Sequence, residues 1–312
     1  MNSFCTLFDS RYLTRGLALY DSLRSVCDSF TLYVVCFDDI ALDALQRLCL
    51  ESVVAIPLER MENDELLSVK AGRTPGEYCW TCTSFSIDYV LKTFNLPEVT
   101  YLDADLFFFQ DPDILLQEFR GSGASVLITA HRYTPEYDQS ATSGIYCVQF
   151  MTFKADARGR TVLNWWKARC LEWCFNRVEE GKFGDQKYLD NWLTMFEGIH
   201  VLEHPGGGVA PWNVQQYSVS DGPGVNDIPI VFYHFHGMTW YRDDTVDLGP
   251  YRLSGDVKKH IYEPYLDSID TQFTTVSSLG FAPPRQTKNR DWKTPLRTLK
   301  RYIKGNYNVL RR

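Results

Sequence analysis

The chain has 312 residues, of which 45% are hydrophobic and 14% aromatic, and a formal net charge of −7. That apolar content supplies one large core, or a core with an appendage, and excludes a disordered chain. No run approaches the ~18 consecutive apolar residues of a membrane span, and Met1-Asn2-Ser3-Phe4-Cys5 lacks the features of a signal peptide, so a cytosolic protein is expected.

Residues 4–8 read as an apolar strand closing on Asp9-Ser10-Arg11-Tyr12. Residues 13–26 have a helical period, and 31–37 form a second strand ending at Asp38-Asp39. A helix over 42–50, a strand over 52–56 and a helix over 78–94 lead to an apolar, β-branched run from Val99. This run pauses at Asp103-Ala104-Asp105 and resumes to Phe109. Such alternation predicts a doubly wound α/β layer whose ligands collect at the carboxyl ends of strands, where Asp9, Asp38 and Asp103 fall. A nucleotide crevice is the natural expectation, with Thr6, Asp9 and Tyr12 available to hydrogen-bond and stack on a base; ordinary strand-end polarity would give the same residues.

Beyond Phe109, Asp111-Pro112-Asp113 caps a short helix to Phe119, and residues 125–130 form a strand ending in His131-Arg132-Tyr133. Thr142-Ser143-Gly144 precedes a strand over 145–153. Helices are expected over 156–178 and 185–196, broken at Gly181-Lys182-Phe183-Gly184. Gly206, Gly207 and Gly208 permit a close backbone approach or only a tight turn. No boundary is evident before residue 270, which predicts a single domain over 1–270 and an extension over 271–312.

Nine cysteines, an odd set mostly inside apolar runs, read as buried thiols of a reducing compartment. Cys79/Cys82 and Cys170/Cys174 could form a four-thiolate zinc site, but the second pair sits at helical spacing among Trp165, Trp166 and Trp173, and the core reading is preferred. The same tryptophans with Trp212 could instead form a sugar platform.

Carboxylates at i and i+2 on a strand end project to one side. Asp103 and Asp105 can therefore share one hard cation, Mn²⁺ or Mg²⁺, that keeps positions open for phosphate oxygens. A second β-like run, 228–234, ends at His234, whose imidazole can complete that site, and Gly237 frees a backbone N–H to meet a phosphate.

The pieces Tyr-Leu-Asp-Ala-Asp at 101–105, Thr-Ser-Gly-Ile at 142–145, Gly-Asp-Gln at 184–186, Pro-Trp-Asn at 211–213 and His-Phe-His-Gly at 234–237 follow the order seen in glycosyltransferase family 8, which the chain resembles over roughly residues 4–240. The resemblance implies a GT-A fold, a nucleotide-diphosphate sugar donor, most often UDP-linked, and Mn²⁺ held by Asp103, Asp105 and His234. It also implies that Thr6, Asp9 and Tyr12 hold the uridine, that Ser143, Gly144, Asn213 and Gly237 line the donor, and that Asp185 and Gln186 flank the anomeric carbon. The family's Lys-Pro-Trp after the glycine is replaced by Trp240-Tyr241-Arg242, with Arg242 the candidate substitute for its lysine and Arg73 the candidate for a basic residue expected upstream of Asp103. Retention of anomeric configuration is implied by the resemblance. If the reaction inverts, Asp185 is the candidate base. A noncatalytic nucleotide-sugar or glycan-binding protein and a nucleotidyltransferase are the alternatives. The latter would normally show glycines after the first strand, which Phe8-Asp9-Ser10-Arg11 lacks.

Residues 285–312 hold ten Lys or Arg against one Asp, a net of +9, while the remainder has 22 basic and 38 acidic residues, a net of −16. Trp292, Leu296, Leu299, Tyr302 and Ile303 recur among these cations at helical spacing, the pattern of an amphipathic helix lying on an anionic membrane. A solvated tail, or a helix packed on the body, is the plain alternative. An acidic body argues against nucleic acid as partner. Together these features suggest a cytoplasmic enzyme, peripheral at the inner face of a membrane, acting on a glycan or a lipid-linked acceptor such as lipopolysaccharide.

Overall fold

A computed structural model describes residues 1–219, 222–282, 284–288 and 294–312. The amino-terminal half runs β1 (Asn2–Phe8), α1 (Leu13–Val26), β2 (Phe30–Cys36), α2 (Asp39–Leu48), β3 (Val53–Pro57), α3 (Leu58–Met61), α4 (Asp64–Lys70), α5 (Pro75–Thr93), β4 (Glu98–Leu102), β5 (Leu106–Phe108), α6 (Asp113–Ser122) and β6 (Val126–Ala130). It continues with α7 (Ser140–Ser143), β7 (Tyr146–Lys154), α8 (Ala157–Glu172), α9 (Trp192–Met195), β8 (Ile199–Val201), β9 (Gly224–Val225), β10 (Ile228–Pro229), β11 (Phe232–His234), β12 (Thr239–Trp240) and β13 (Thr245–Asp247). A short α10 (Gly255–Val257) passes through a π-helical turn into α11 (Glu263–Ser278), and α12 (Thr294–Ile303) and β14 (Val309–Arg311) close the chain.

The central sheet has the order β3-β2-β1-β4-β7-β6-β8. All neighbours are parallel except β7, which runs antiparallel to both β4 and β6. This is the expected mixed α/β layer. Alternation along β1 divides the core: Phe4 and Phe8 face α1 and α2, while Cys5 and Leu7 face α5. Gly16 lets α1 lie against the strand it follows, because a Cβ there would sit 2.3 Å from the Phe8 ring.

The expected elements of the first half form within a few residues of their predicted ends. Two later ones differ. The helix predicted over 156–178 ends at Glu172, where Trp173 turns extended and the Arg73 guanidinium takes the carbonyls of Cys170, Leu171 and Cys174. The helix predicted over 185–196 is a 3-10 turn, Lys187–Asn191, followed by α9. There the Asp190 carboxylate is drawn away to Ile145 N and Lys187 Nζ, each at 2.7 Å.

Past residue 240 the chain returns to the body. Gln272 on α11 donates to Asp21 of α1 at 2.6 Å, and Phe273 and Val276 are buried, so the division expected at residue 270 falls inside a packed helix. β14 pairs antiparallel with β13. Of the predicted tail helix, Leu296, Leu299, Tyr302 and Ile303 lie on α12, whereas Arg290, Asp291, Trp292 and Lys293 lie outside the described residues.

Candidate functional site

The turn between β4 and β5 carries Asp103 and Asp105, at the carboxyl end of a central strand. It is held by backbone bonds from Asp103 N to Gln149 O at 3.0 Å and from Leu106 N to Asp103 O at 3.2 Å. β11 pairs antiparallel with β5, His234 opposite Leu106, and Phe235 N donates to Asp105 O at 2.9 Å. Two segments far apart in sequence are thereby locked side by side.

His234 Nε2 lies 3.1 Å from Asp105 Oδ1 and 3.7 Å from Asp103 Oδ2. Its Nδ1 is 2.8 Å from Gln149 Oε1, an acceptor that fixes the proton on Nδ1 and turns Nε2 toward the carboxylates. Tyr101 donates to Asp103 Oδ1 at 3.0 Å. Burial raises the Asp103 carboxyl above its usual range, with Asp105 adding and His234 opposing. Burial acts on Asp105 in the same sense, but His234 outweighs it and Asp105 stays below the ordinary range. For His234, burial disfavours the imidazolium, and the charge and hydrogen bond of Asp105 override it, so the ring is raised well above its ordinary range. Two carboxylates and an imidazole nitrogen form a hard oxygen and nitrogen set that fits Mn²⁺ or Mg²⁺. Cys147 Sγ also lies within 4.8 Å of ligand atoms of Asp103 and His234, but burial pushes its thiol up, away from the thiolate that binds metal.

Asp185 is buried near this cluster. Burial first, then the Asp103 charge, pushes its carboxyl up to about 8, with a hydrogen bond from Thr83 on α5 opposing. Gln186 donates through Nε2 to Ser143 O at 2.7 Å, tying the 3-10 turn to α7. Gly144, at φ +110, leaves room for Asp190, whose Oδ1 would lie 3.2 Å from a Cβ there. Tyr12, more than one-third exposed, opens α1, and the Asp105 charge is the largest influence raising its hydroxyl to about 12. The Thr6 hydroxyl on β1 is buried without a partner among the described residues. Gly237, at φ +78 with open space about its Cα, follows the His234 strand as expected.

Four sequence expectations take another form. Arg73 is engaged through Nη1 and Nη2 at the end of α8 and stacks on Phe175 at 4.1 Å, which holds its guanidinium away from a donor. Asn213 is fully buried and bonds the carbonyls of His131 and Gly208 and the N–H of Ala210, so its amide braces a loop. Asp9 is turned onto Arg11, with its carboxylate oxygens taking Arg11 N at 2.9 Å and Nε at 2.7 Å. Arg242 is exposed, and its backbone N–H donates to Gln286 O. The glycines at 206–208 approach the chain itself: a Cβ on Gly206 would fall 2.3 Å from Pro229 O.

Sequence reading missed Gln149 and Arg15. Gln149 sits within an apolar strand, and only its pairing with His234 marks it out. Arg15 stands in the first turn of α1, where nothing in the local pattern points to a site. Trp212 is packed against the site, its ring 5.2 Å edge-on from His234, while Trp166 and Cys170 are core and Trp165 and Trp173 border it.

The mixed α/β layer, with the two-carboxylate turn at its centre, matches the GT-A fold of solved glycosyltransferases. The fold superposes on the galactosyltransferase LgtC, solved with donor and acceptor sugar analogs, with a TM-score of 0.57 at 13% identity, covering 86% of this chain and 95% of LgtC. It superposes on the glycosyltransferase GlyE of Streptococcus pneumoniae TIGR4 with a TM-score of 0.55 at 13% identity, covering 92% of this chain and 66% of GlyE. No protein-family model matches the chain. In sequence it is 31% identical over 299 residues to the uncharacterized protein YfnD of Bacillus subtilis (strain 168), covering 90% of this chain and 94% of YfnD. It is also 34% identical over 248 residues to the uncharacterized protein YfnF of the same organism, covering 76% and 81%. The chain belongs to the family of these two proteins.

Proposed function

We propose that the protein is a metal-dependent glycosyltransferase that moves a hexosyl group from a nucleotide-diphosphate sugar, most simply a UDP-sugar, onto a glycan or lipid-linked acceptor with retention. The convergence of Asp103, Asp105 and His234 at the carboxyl edge of a GT-A sheet is the observation that carries this reading. Those three residues would hold Mn²⁺, with Mg²⁺ as the alternative, and the ion would supply charge stabilisation for the leaving diphosphate. Gln149 orients the imidazole, and Tyr12 and Thr6 offer a stacking face and a hydroxyl to the nucleoside.

In the transfer, the bond from the anomeric carbon to the phosphate oxygen breaks and its electron pair leaves with the nucleoside diphosphate. The acceptor hydroxyl oxygen bonds to the carbon and its proton passes to the departing phosphate. The Gln186 Oε1, and the Asp185 carboxyl where it is ionised, can stabilise the positive charge that develops on the sugar ring. A cleft of about 570 Å³ lined by Ala130, Arg132, Tyr133, Asp138, Ser140 and Ile145 lies beyond Trp212 and suits an acceptor. For a lipid-linked acceptor, the described part of the basic tail offers exposed Leu296, Leu299 and Ile303 to an anionic membrane. No helix among the described residues is long and apolar enough to cross a membrane.

The test is a thermal-shift and hydrolysis screen against UDP-, GDP-, dTDP- and CMP-sugars, with and without Mn²⁺, beside Asp103→Ala and Asp105→Ala. Metal-dependent stabilisation and release of nucleoside diphosphate by the wild type alone support the proposal. Release of pyrophosphate points to a nucleotidyltransferase, and no response to any donor leaves a noncatalytic protein. The anomeric configuration of the product decides retention.

A further inference from the structure

Arg15 projects from the first turn of α1 into the gap between Tyr12 and the loop that follows His234. Its Nη2 donates to Met238 O at 2.9 Å and its Nη1 to Arg11 O at 3.4 Å. The guanidinium carbon stands 4.3 Å from the centre of the Tyr12 ring and 5.0 Å from that of Trp240. Two aromatic faces and a carbonyl therefore fix the group in one orientation. A guanidinium has five N–H donors, so most of this one's capacity is left over. Among the described residues no carboxylate forms an ion pair with it, yet it is close enough to Asp105 to favour that residue's ionised form.

Three other cations around the site are committed elsewhere, and Arg132, whose Nε and Nη2 are buried without a partner among the described residues, lines the cleft assigned above to an acceptor. Arg11 pairs with Asp9, Lys187 with Asp190, and Arg73 with the carbonyls at the end of α8. Arg242 points to solvent. Asp103 and Asp105 meanwhile place two carboxylates beside His234, and these oppose a polyanionic ligand unless a cation lies on its path.

We propose that Arg15 is the diphosphate-binding residue of this site, its free N–H groups meeting phosphate oxygens of a nucleoside diphosphate. The inference rests on the glycosyltransferase reading above. It places the phosphate contact on α1, beside the Tyr12 ring, and not on the segment after Gly237, where Trp240 turns inward to pack against Tyr265 and Phe273. Planar, preorganised and always charged, a guanidinium held this way suits bidentate recognition of phosphate.

The experiment is calorimetric titration of wild type, Arg15→Gln and Arg15→Lys in the presence of Mn²⁺. The probes are UDP, GDP, dTDP and CDP, followed by the monophosphate and the free nucleoside of the preferred base. The expected result is that Arg15→Gln binds the diphosphate about tenfold to a hundredfold more weakly while its affinity for the free nucleoside is unchanged, and that Arg15→Lys recovers part of the loss. Equal diphosphate affinity in Arg15→Gln and wild type overturns the inference and leaves the glycosyltransferase reading standing. Equal losses for diphosphate and nucleoside also overturn it, since they mark Arg15 as a brace for the Met238 loop. If wild type binds no nucleoside diphosphate, both fall together.

Discussion

His234 Nε2 and Asp105 Oδ1 stand 3.1 Å apart, brought together by β11 pairing on β5. With Nδ1 donating to Gln149, the contact with Asp105 favours a second proton on Nε2, and the charge of Asp105 raises the imidazole above its usual range. A cation can bind there only by displacing that proton. Titration of Mn²⁺ into the protein at pH 7 should release close to one proton per site, read as a dependence of the calorimetric heat on the ionisation enthalpy of the buffer. Affinity should fall as pH drops, because protonation of Nε2 competes with the metal. Binding with no proton release at pH 7 would sink the assignment of His234 as a ligand.

Gln149 Oε1 is the one described acceptor for His234 Nδ1, and it lies on β7 at the centre of the sheet. Gln149→Leu keeps the volume and removes the acceptor. Loss of such an orienting partner typically costs about 10–100-fold in metal affinity, and that range is expected here. Gln149→Glu retains an acceptor and should hold Mn²⁺ at least as well as wild type. Unchanged affinity in Gln149→Leu would show that strand pairing alone orients the ring.

Asp185 supplies a pH signature independent of turnover. Its carboxyl is held protonated up to about 8, against ~3.9 in an unfolded chain. Between those values the folded protein binds a proton that the unfolded chain has lost, so this group's contribution declines as pH rises through the window and levels off above it. Asp185→Asn cannot ionise. The variant should match wild type near pH 4 and become the more stable of the two toward pH 8, by roughly 2 °C or more in Tm for each kcal/mol gained. Saturation with Mn²⁺ should narrow the gap by offsetting the Asp103 charge. A difference in Tm that stays flat from pH 5 to 9 would refute the raised carboxyl.

How far the sequence reached depended on whether a residue's role was local. β1 through β5 were legible because each has its own period and a turn signal, and Asp103 with Asp105 was legible as a polar break in an apolar run. His234 was legible because it too ends a strand. Arg73 and Asn213 were misplaced, because a guanidinium meeting the end of α8 and an amide bracing a loop to His131 are contacts between distant segments that no local spacing encodes. Arg15 and Gln149 were missed for the same reason. The early end of α8 escaped notice because residues 173–178 keep a helix-like composition, and what stops them is Arg73.

The basic tail is where sequence pattern and structure make separable demands. Arg301 binds Asp247 at 2.5 and 2.8 Å and Gly249 O at 2.9 Å, while buried Asn308 donates to Gly249 O and Tyr251 O. On α12, at 100° per residue, Leu296, Leu299 and Ile303 fall on the side opposite Arg301, and all three are exposed. One face thus ties the helix to the body and the other is apolar, with Lys300 and Lys304 on its flank. Deleting residues 285–312 would remove one of the two partners of β13 and should lower Tm by several degrees, which would confound a membrane assay. The double substitution Leu299→Glu and Ile303→Glu touches only the exposed face. It should leave Tm within about 1 °C, as exposed substitutions usually do. Co-sedimentation with phosphatidylglycerol vesicles should be lost, and hydrolysis of the sugar donor spared. Undiminished sedimentation of the double variant at physiological salt would mean that α12 does not dock on lipid, and a Tm drop matching that of the deletion would mean that its outer face is covered by the protein itself.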